Sequence, residues 1–244
     1  MSLDSPKEVE RQETEKDKGK SAVRRILQVS ITYVWMIGTV FLGAGTVHWV
    51  RGWICVALWT VSLTAVGLLT QRRNPQLMKE RAKWRRKDTK RFDKIFLSVY
   101  MPLVLTQPAI AGMDAVRYHW SSIPFGFVYV GAPLFLLSMA LIGWVLSTNP
   151  YAESSVRIQH DRGHTVVTSG PYRFVRHPMY VGATLMYLAT PLVWGSLWAL
   201  AMGVVMLVLF IVRTALEDQT LRRELAGYEE YASHTRYRLL PGVW

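Results

Sequence analysis

A series of long apolar runs constrains this chain most. Four runs of about 18 to 20 residues lie near positions 29–47, 53–70, 95–113 and 128–147, and a fifth apolar region extends from Tyr180 to Val212. A helix needs about 20 mainly apolar residues to cross the hydrocarbon core of a bilayer. The sequence therefore predicts an all-α, polytopic membrane helical bundle with four spans followed by a further apolar element.

The fifth apolar region, about 33 residues long, exceeds the length of one upright span. Pro191 and the Trp194-Gly195-Ser196 sequence divide it into two halves. We therefore expect a helical hairpin over 180–212 that returns to the side on which it began. The alternative is one tilted helix, which would place the polar residues before and after it on opposite sides of the membrane.

The basic residues are distributed unevenly among the connections. Of the 29 Lys and Arg residues, seven lie in 1–25, eleven in 71–94 and nine after Thr148. Because cytoplasmic loops carry an excess of Lys and Arg, this pattern predicts cytoplasmic N- and C-termini, with 71–94 and 148–179 on the same side. Basic segments beside spans contact anionic membrane lipids, so the net charge of +12 does not require a nucleic-acid partner, and we expect none.

Three regions follow from these patterns. We predict a disordered, charged tail over 1–25, a four-helix transmembrane region over 26–147, and a cofactor-binding catalytic region over 148–244. Within the second region, 71–94 is too charged to enter lipid and is either a surface-lying amphipathic segment or a solvated basic loop. The only cysteine lies in an apolar run and the six histidines lack metal-ligand spacing, so we expect no metal site.

The stretch from Gly163 to Gly182 is densely polar, although it lies between two apolar regions. Pro178 suits the first turn of a helix, which predicts that the N–H groups of Met179 to Val181 are free to attract an anion. Arg176 and His177 would add side-chain donors beside them. The alternative is a membrane-interface anchor, in which the arginine extends to lipid headgroups.

Upstream, His164 begins a β-branched segment that ends in Ser-Gly-Pro, typical of an extended chain that turns at Gly170 and Pro171. Extended backbone offers N–H and C=O groups that can bind the edge of a purine base. We expect His164 to face the same pocket.

A second polar cluster follows the last apolar region. Glu217 and Asp218 are adjacent acids, and Arg213 lies four residues before Glu217, on the same helix face. A carboxylate here can bind a cationic group or accept a proton from a substrate. The alternative is a structural salt bridge to Arg222 or Arg223. Further donors follow at Arg236 and Arg238.

At these residues the chain resembles a known family. From His164 to Gly182 it follows the pattern H-x-[LV]-V-x-x-G-x-Y-x-x-x-R-H-P-x-Y-x-G, which is similar to that of integral-membrane methyltransferases of the isoprenylcysteine carboxyl methyltransferase and phospholipid N-methyltransferase type. The acids at 217 and 218 resemble the paired acids of that family, in which the second acid is usually Glu. The resemblance extends from Asn149 to Trp244.

The resemblance implies a cytoplasmic pocket for S-adenosylmethionine and two sets of site residues. The implied cofactor-binding residues are His164, Val166, Val167, Gly170, Tyr172, Arg176, His177, Pro178, Tyr180, Gly182 and Glu217. The implied catalytic residues are Glu217, Asp218, Arg213, Arg236 and Arg238.

The implied activity is S-adenosylmethionine-dependent methyl transfer to a lipophilic acceptor, either a small molecule or a lipid-modified substrate. The nucleophile can be a carboxylate or an amine, and the sequence determines neither the acceptor nor the oligomeric state. One alternative is an NADPH-dependent membrane sterol-type reductase, although Met179 and Ala183 replace the Asn and Glu of its N-Y-x-G-E pattern. The other is a non-enzymatic scaffold or transporter-like bundle.

Overall fold

A computed structural model describes residues 30–81 and 88–244. The predicted tail over 1–25 lies outside the described residues. The regular structure in the described ranges is helical, with no strand among them. The principal helices are α1 Ser30–Ala44, α2 Val50–Arg73, α3 Pro75–Arg81, α4 Arg91–Gly112, α5 Val128–Thr148, α6 Pro178–Trp194, α7 Leu197–Glu224 and α8 Tyr228–His234.

Four helical segments within the described ranges are long and apolar enough to cross a membrane: Val50–Arg73, Arg91–Arg117, Phe125–Thr148 and Leu197–Glu224. The second includes a π-helical turn, Met113–Arg117, and the third a short 3-10 turn, Phe125–Phe127. This confirms the predicted polytopic helical bundle. The described part of α1 is shorter than a span, and the second predicted run begins earlier than expected, at Val50.

The predicted hairpin is present, but its helices are longer than 180–212. Gly195 ends α6 in the left-handed region, with φ 85°, which glycine adopts without strain. The Ser196 hydroxyl then accepts a hydrogen bond from the Ala199 N–H and caps α7. Because α7 continues through the charged residues 213–224 as one helix, its polar end lies beside the start of α6. This excludes the single tilted helix.

The central helices pack in a chain of neighbours. Helix α5 lies against α6 and α2, and α7 lies against α6 and α4. A Cβ on Gly203 of α7 would overlap the Tyr187 carbonyl oxygen of α6, so the two arms of the hairpin are in close contact. Gly43 of α1 packs in the same way on the Ala109 backbone of α4, as small residues permit in membrane bundles.

The predicted basic segment over 71–94 is partly helical. The Asn74 side chain donates to the Leu146 carbonyl oxygen at 2.6 Å, which joins the end of α2 to α5. Helix α3 follows, and its Leu77 is fully buried. Residues 75–81 therefore pack against the bundle, whereas 82–87 lie outside the described residues.

The opposite end of the bundle is held by a buried acid. Asp114 accepts hydrogen bonds from the hydroxyls of Ser121 and Ser196, both at 2.6 Å. Arg51 donates to the carbonyl oxygens of Ile123 and Pro124 nearby. These contacts fix the turn between α6 and α7 and leave the other end of the hairpin to form the site.

Candidate functional site

The segment between α5 and α6 is hydrogen-bonded to the start of α4. The Asp93 carboxylate accepts the Val156 N–H at 2.8 Å, and the Lys90 N–H donates to the Val156 carbonyl oxygen at 3.1 Å. Arg157, which is buried, donates to Glu153 and Asp161. The hydrogen bond that Arg157 donates to Glu153 is the largest effect that raises the pKa of Arg157 above its ordinary value. The segment is thus held across the polar end of the bundle.

His164 lies at the polar end of the bundle. Its ring lies 4.5 Å from the Tyr151 ring, centroid to centroid, and its Nδ1 accepts the Gln159 N–H at 3.4 Å. Burial, followed by the positive charges of Arg157 and Arg162, lowers the pKa of His164 to about 4. The imidazole is therefore neutral near pH 7.

The predicted turn at Gly170 and Pro171 is present. Residues 164–168 are neither helix nor strand, and Gly170 has φ 60°. Tyr172 follows, and its hydroxyl accepts a hydrogen bond from the Asn149 side chain at 2.7 Å. The Tyr231 hydroxyl donates to the Tyr172 carbonyl oxygen, also at 2.7 Å. Burial raises the pKa of Tyr172, so this phenol stays protonated.

Asp218 is the centre of a buried network. Its carboxylate accepts hydrogen bonds from Arg176 Nε at 2.7 Å, Arg238 Nε at 3.0 Å and the Tyr228 hydroxyl at 3.0 Å. The His177 ring lies at 3.4 Å. These partners come from the start of α6, from α8 and from the C-terminal segment. Asp218 therefore joins three parts of the chain beneath the site.

The Arg176 side chain donates several hydrogen bonds. Besides Asp218, its guanidinium donates to the carbonyl oxygens of Thr235 and Arg236 at 2.8 and 2.6 Å. The backbone N–H of Arg176 donates to the Tyr237 carbonyl oxygen.

The prediction of free N–H groups at the start of α6 was wrong for Tyr180 and Val181, because both donate to the His177 carbonyl oxygen.

Glu217 faces a different direction from Asp218, because successive residues of a helix point about 100° apart. The Tyr180 hydroxyl donates a hydrogen bond to the Glu217 carboxylate. Arg213, one turn earlier, lies over the Phe96 ring at 4.4 Å and pairs with Asp93 at 2.8 Å. The two ends of the hairpin thus meet through side chains, as the sequence predicted.

These elements enclose a cavity of about 770 Å³, within the range of about 300 to 1,000 Å³ common for ligand sites. Its polar part is lined by the segment after α5 and by α8. Its apolar part is lined by helices α4 to α7. The predicted site residues that line it are His164, Val166, Val167, Tyr172, Arg176, His177, Tyr180, Arg213 and Glu217.

The other predicted site residues lie outside the cavity lining. Gly170 packs against the Thr148 and Trp144 side chains, and Gly182 against Ile142 of α5. Pro178 begins α6. Arg236 is exposed and contributes its carbonyl oxygen to Arg176. Asp218 and Arg238 form the network beneath the site.

Sequence reasoning missed several residues that line the cavity, notably Arg81, Tyr100, Asn149, Tyr151, Glu153, Arg157 and Tyr228. Most come from segments whose position relative to the hairpin only the fold determines. Asn149 and Tyr151 follow α5 directly, so their place at the polar end of a span was the one available signal.

Part of the chain is similar to known proteins. Residues 127–226 match the family model for phospholipid methyltransferase. The match confirms the predicted family resemblance over this segment, which includes α5, both arms of the hairpin and the residues between them. The chain is also 32% identical, over 103 residues, to the cobalt-zinc-cadmium resistance protein CzcN of Cupriavidus metallidurans. That alignment covers 41% of this chain and 47% of the relative, so it spans about half the length of each.

Proposed function

We propose that this protein is a membrane methyltransferase that uses S-adenosylmethionine to methylate a lipophilic acceptor. One observation supports the proposal above the others. A single cavity joins a polar pocket, built from the family-matching segment, to an apolar space among membrane-spanning helices. A water-soluble donor and a lipid-soluble acceptor can meet in such a cavity.

The polar part fits the donor by the chemistry of its groups. Val166 and Val167 line it and belong to no helix or strand, so their backbone groups are available to recognise a purine edge. His164 and Tyr151 add two ring surfaces, which are tilted 39° to each other. Glu217 supplies a carboxylate for a cationic group and is held in place by Tyr180.

The reaction is an in-line displacement, for which positioning provides much of the acceleration. When bound, S-adenosylmethionine supplies an electrophilic methyl group, and its sulfur keeps the electron pair of the broken carbon–sulfur bond. A carboxylate nucleophile needs no base, whereas an amine must lose a proton, which Glu217 is placed to accept. The remaining residues orient the reactants and exclude water.

The acceptor would enter from the bilayer side. Leu97, Met101, Ile142, Ala183 and Phe210 line the apolar part of the cavity and belong to four different helices. An acyl or prenyl chain fits this lining by polarity. The distribution of Lys and Arg predicts that the polar end faces the cytoplasm, where the donor is available.

Calorimetric titration of the detergent-solubilised protein with S-adenosylmethionine tests the proposal. We expect saturable 1:1 binding, and binding of the demethylated product at the same site. His164→Ala should weaken both, whereas the exposed His119→Ala should not. Tight binding of NADPH without binding of S-adenosylmethionine would instead favour the reductase alternative, and binding of neither would favour a non-enzymatic bundle.

A further inference from the structure

Most arginines that line the cavity already have carboxylate partners. Arg157 pairs with Glu153 and Asp161, Arg176 with Asp218, and Arg213 with Asp93. Ion pairs of this kind satisfy a charge that has been removed from water. These three guanidiniums therefore hold the walls of the cavity together and need no further anion.

Arg81 differs from these three arginines. It is half-buried, lines the cavity, and makes one hydrogen bond within the described residues, from Nη1 to the Ala152 carbonyl oxygen at 2.6 Å. Among residues 30–81 and 88–244, no carboxylate lies within ion-pair distance of it. Burial is the main cause that lowers the pKa of Arg81, and the nearby charge of Arg213 lowers it further. A desolvated cation that makes no close ion pair is costly, so this position favours an anion in the cavity.

The position of Arg81 is fixed by its helix. Asn74 joins the start of α3 to α5, and the buried Leu77 packs the helix on the bundle. The guanidinium interacts electrostatically with Glu153 of the polar segment and with Tyr100 of α4. Arg81 therefore lies where the polar and apolar parts of the cavity meet, beside Arg213.

We propose that Arg81 binds an anionic group, a carboxylate or a phosphate, on the lipophilic acceptor. This inference rests on the proposed function, because it assigns the apolar part of the cavity to an acceptor chain. The anion would lie at the junction, with its chain among α4 to α7 and its head towards the donor pocket. The role is one of binding and specificity, and it adds no step to methyl transfer.

The test uses three probes with one chain length: hexadecanoate, hexadecyl phosphate and hexadecylamine. Their affinities for the full-length, detergent-solubilised protein are measured by calorimetry at equal mole fraction in the micelle. We expect at least one anionic probe to bind about tenfold more tightly than the amine, or about 1.4 kcal/mol. The anion that binds better identifies the headgroup chemistry.

Variants at two positions of α3 separate a specific role from general charge. Arg81→Gln should lose about tenfold in affinity for the anionic probe, whereas Arg81→Lys, which keeps the charge, should retain the preference for an anion over the amine. Lys79→Gln is the matched control, because Lys79 is exposed on the same helix and does not line the cavity. Unchanged anion affinity in Arg81→Gln, or tightest binding of the amine, would overturn the proposal.

Parallel titration with S-adenosylmethionine distinguishes this inference from the proposed function. Arg81→Gln should keep the affinity of the parent protein for the donor, which also shows that the variant is folded. Loss of donor binding in Arg81→Gln and its retention in Lys79→Gln would assign Arg81 to the donor pocket or to folding, and would overturn the acceptor role. If the parent binds no donor but shows the Arg81-dependent preference, only the proposed function fails.

Discussion

At the scale of single residues, two adjacent acids have different environments. Glu217 lines the cavity and accepts a hydrogen bond from Tyr180, whereas Asp218 is completely buried in a network of cations. The rotation of about 100° per residue along a helix separates them. Their substitution should therefore affect different properties of the protein.

Asp218→Asn should mainly lower the free energy of unfolding and should have little direct effect on the methyl-transfer step. Removing the charge leaves Arg176 and Arg238 without their shared carboxylate, and breaking a buried ion pair costs about 3–5 kcal/mol. Thermal unfolding in detergent measures the loss. Arg222→Gln is the control, since that partner of Asp218 is partly exposed and surface pairs contribute about 0–1 kcal/mol. Equal losses in both variants would refute the central role of Asp218.

Glu217→Gln should lower methyl transfer to an amine acceptor at least about 100-fold, the lower limit of general acid–base effects, with little loss of stability. The amide keeps the shape and can still accept from Tyr180, but it carries no charge and takes no proton. Turnover with labelled donor and a lipid extract provides the measurement. Glu229→Gln, an exposed acid outside the cavity, should retain full activity. A fully active Glu217→Gln would remove this acid from the mechanism.

His164 predicts a pH dependence of stability. Its pKa falls from an ordinary 6.5 to about 4 on folding, so the unfolded chain binds the proton more readily between these values. Above about pH 6.5, protonation of His164 does not affect the free energy of unfolding. As the pH falls towards 4, the unfolded chain takes up the proton first and the free energy of unfolding decreases. Between pH 7 and pH 4.5, the unfolding midpoint of the parent should fall further than that of His164→Gln. Parallel curves would contradict the shifted pKa.

At the scale of helices, the contact between α6 and α7 determines whether the site assembles. Gly203→Ala should push the helices apart at the Tyr187 carbonyl, with a cost of about 1–3 kcal/mol and weaker donor binding. Gly67→Ala in α2 is the matched control, because its new methyl group meets no atom within 4 Å and alanine favours helix. Unfolding midpoints and donor affinities compare the two, and a neutral Gly203→Ala would show that this contact is dispensable.

At the scale of the whole molecule, the distribution of charge predicts which end faces the cytoplasm. Cys55, the only cysteine, is buried, so single cysteines can be introduced after Cys55→Ala. In oriented vesicles, Lys79→Cys and Ser233→Cys should react with an impermeant maleimide from the cytoplasmic side, and His119→Cys from the opposite side. Labelling of positions 79 and 233 from opposite sides would contradict the common face of α3 and α8.

The sequence by itself determined the bundle and the turn of the hairpin. Long apolar runs have few alternatives in a membrane, because every backbone group must be hydrogen-bonded within the helix. Gly195, which has no Cβ, marked the turn together with Pro191 four residues earlier. The local motif from His164 to Gly182 likewise predicted an extended segment, a turn and a helix start, all of which depend on neighbouring residues alone.

Only the tertiary structure decided which side chains share the cavity. Arg81, Asn149 and Tyr100 are far apart in sequence, and no local periodicity relates them. Asp218 was predicted to be catalytic and Arg176 to bind the cofactor; the fold pairs the two side chains, with Asp218 beneath the site and Arg176 in the cavity lining. Side-chain direction in a bundle depends on how whole helices rotate and pack against their neighbours, and that sum of many contacts cannot be read from any single segment.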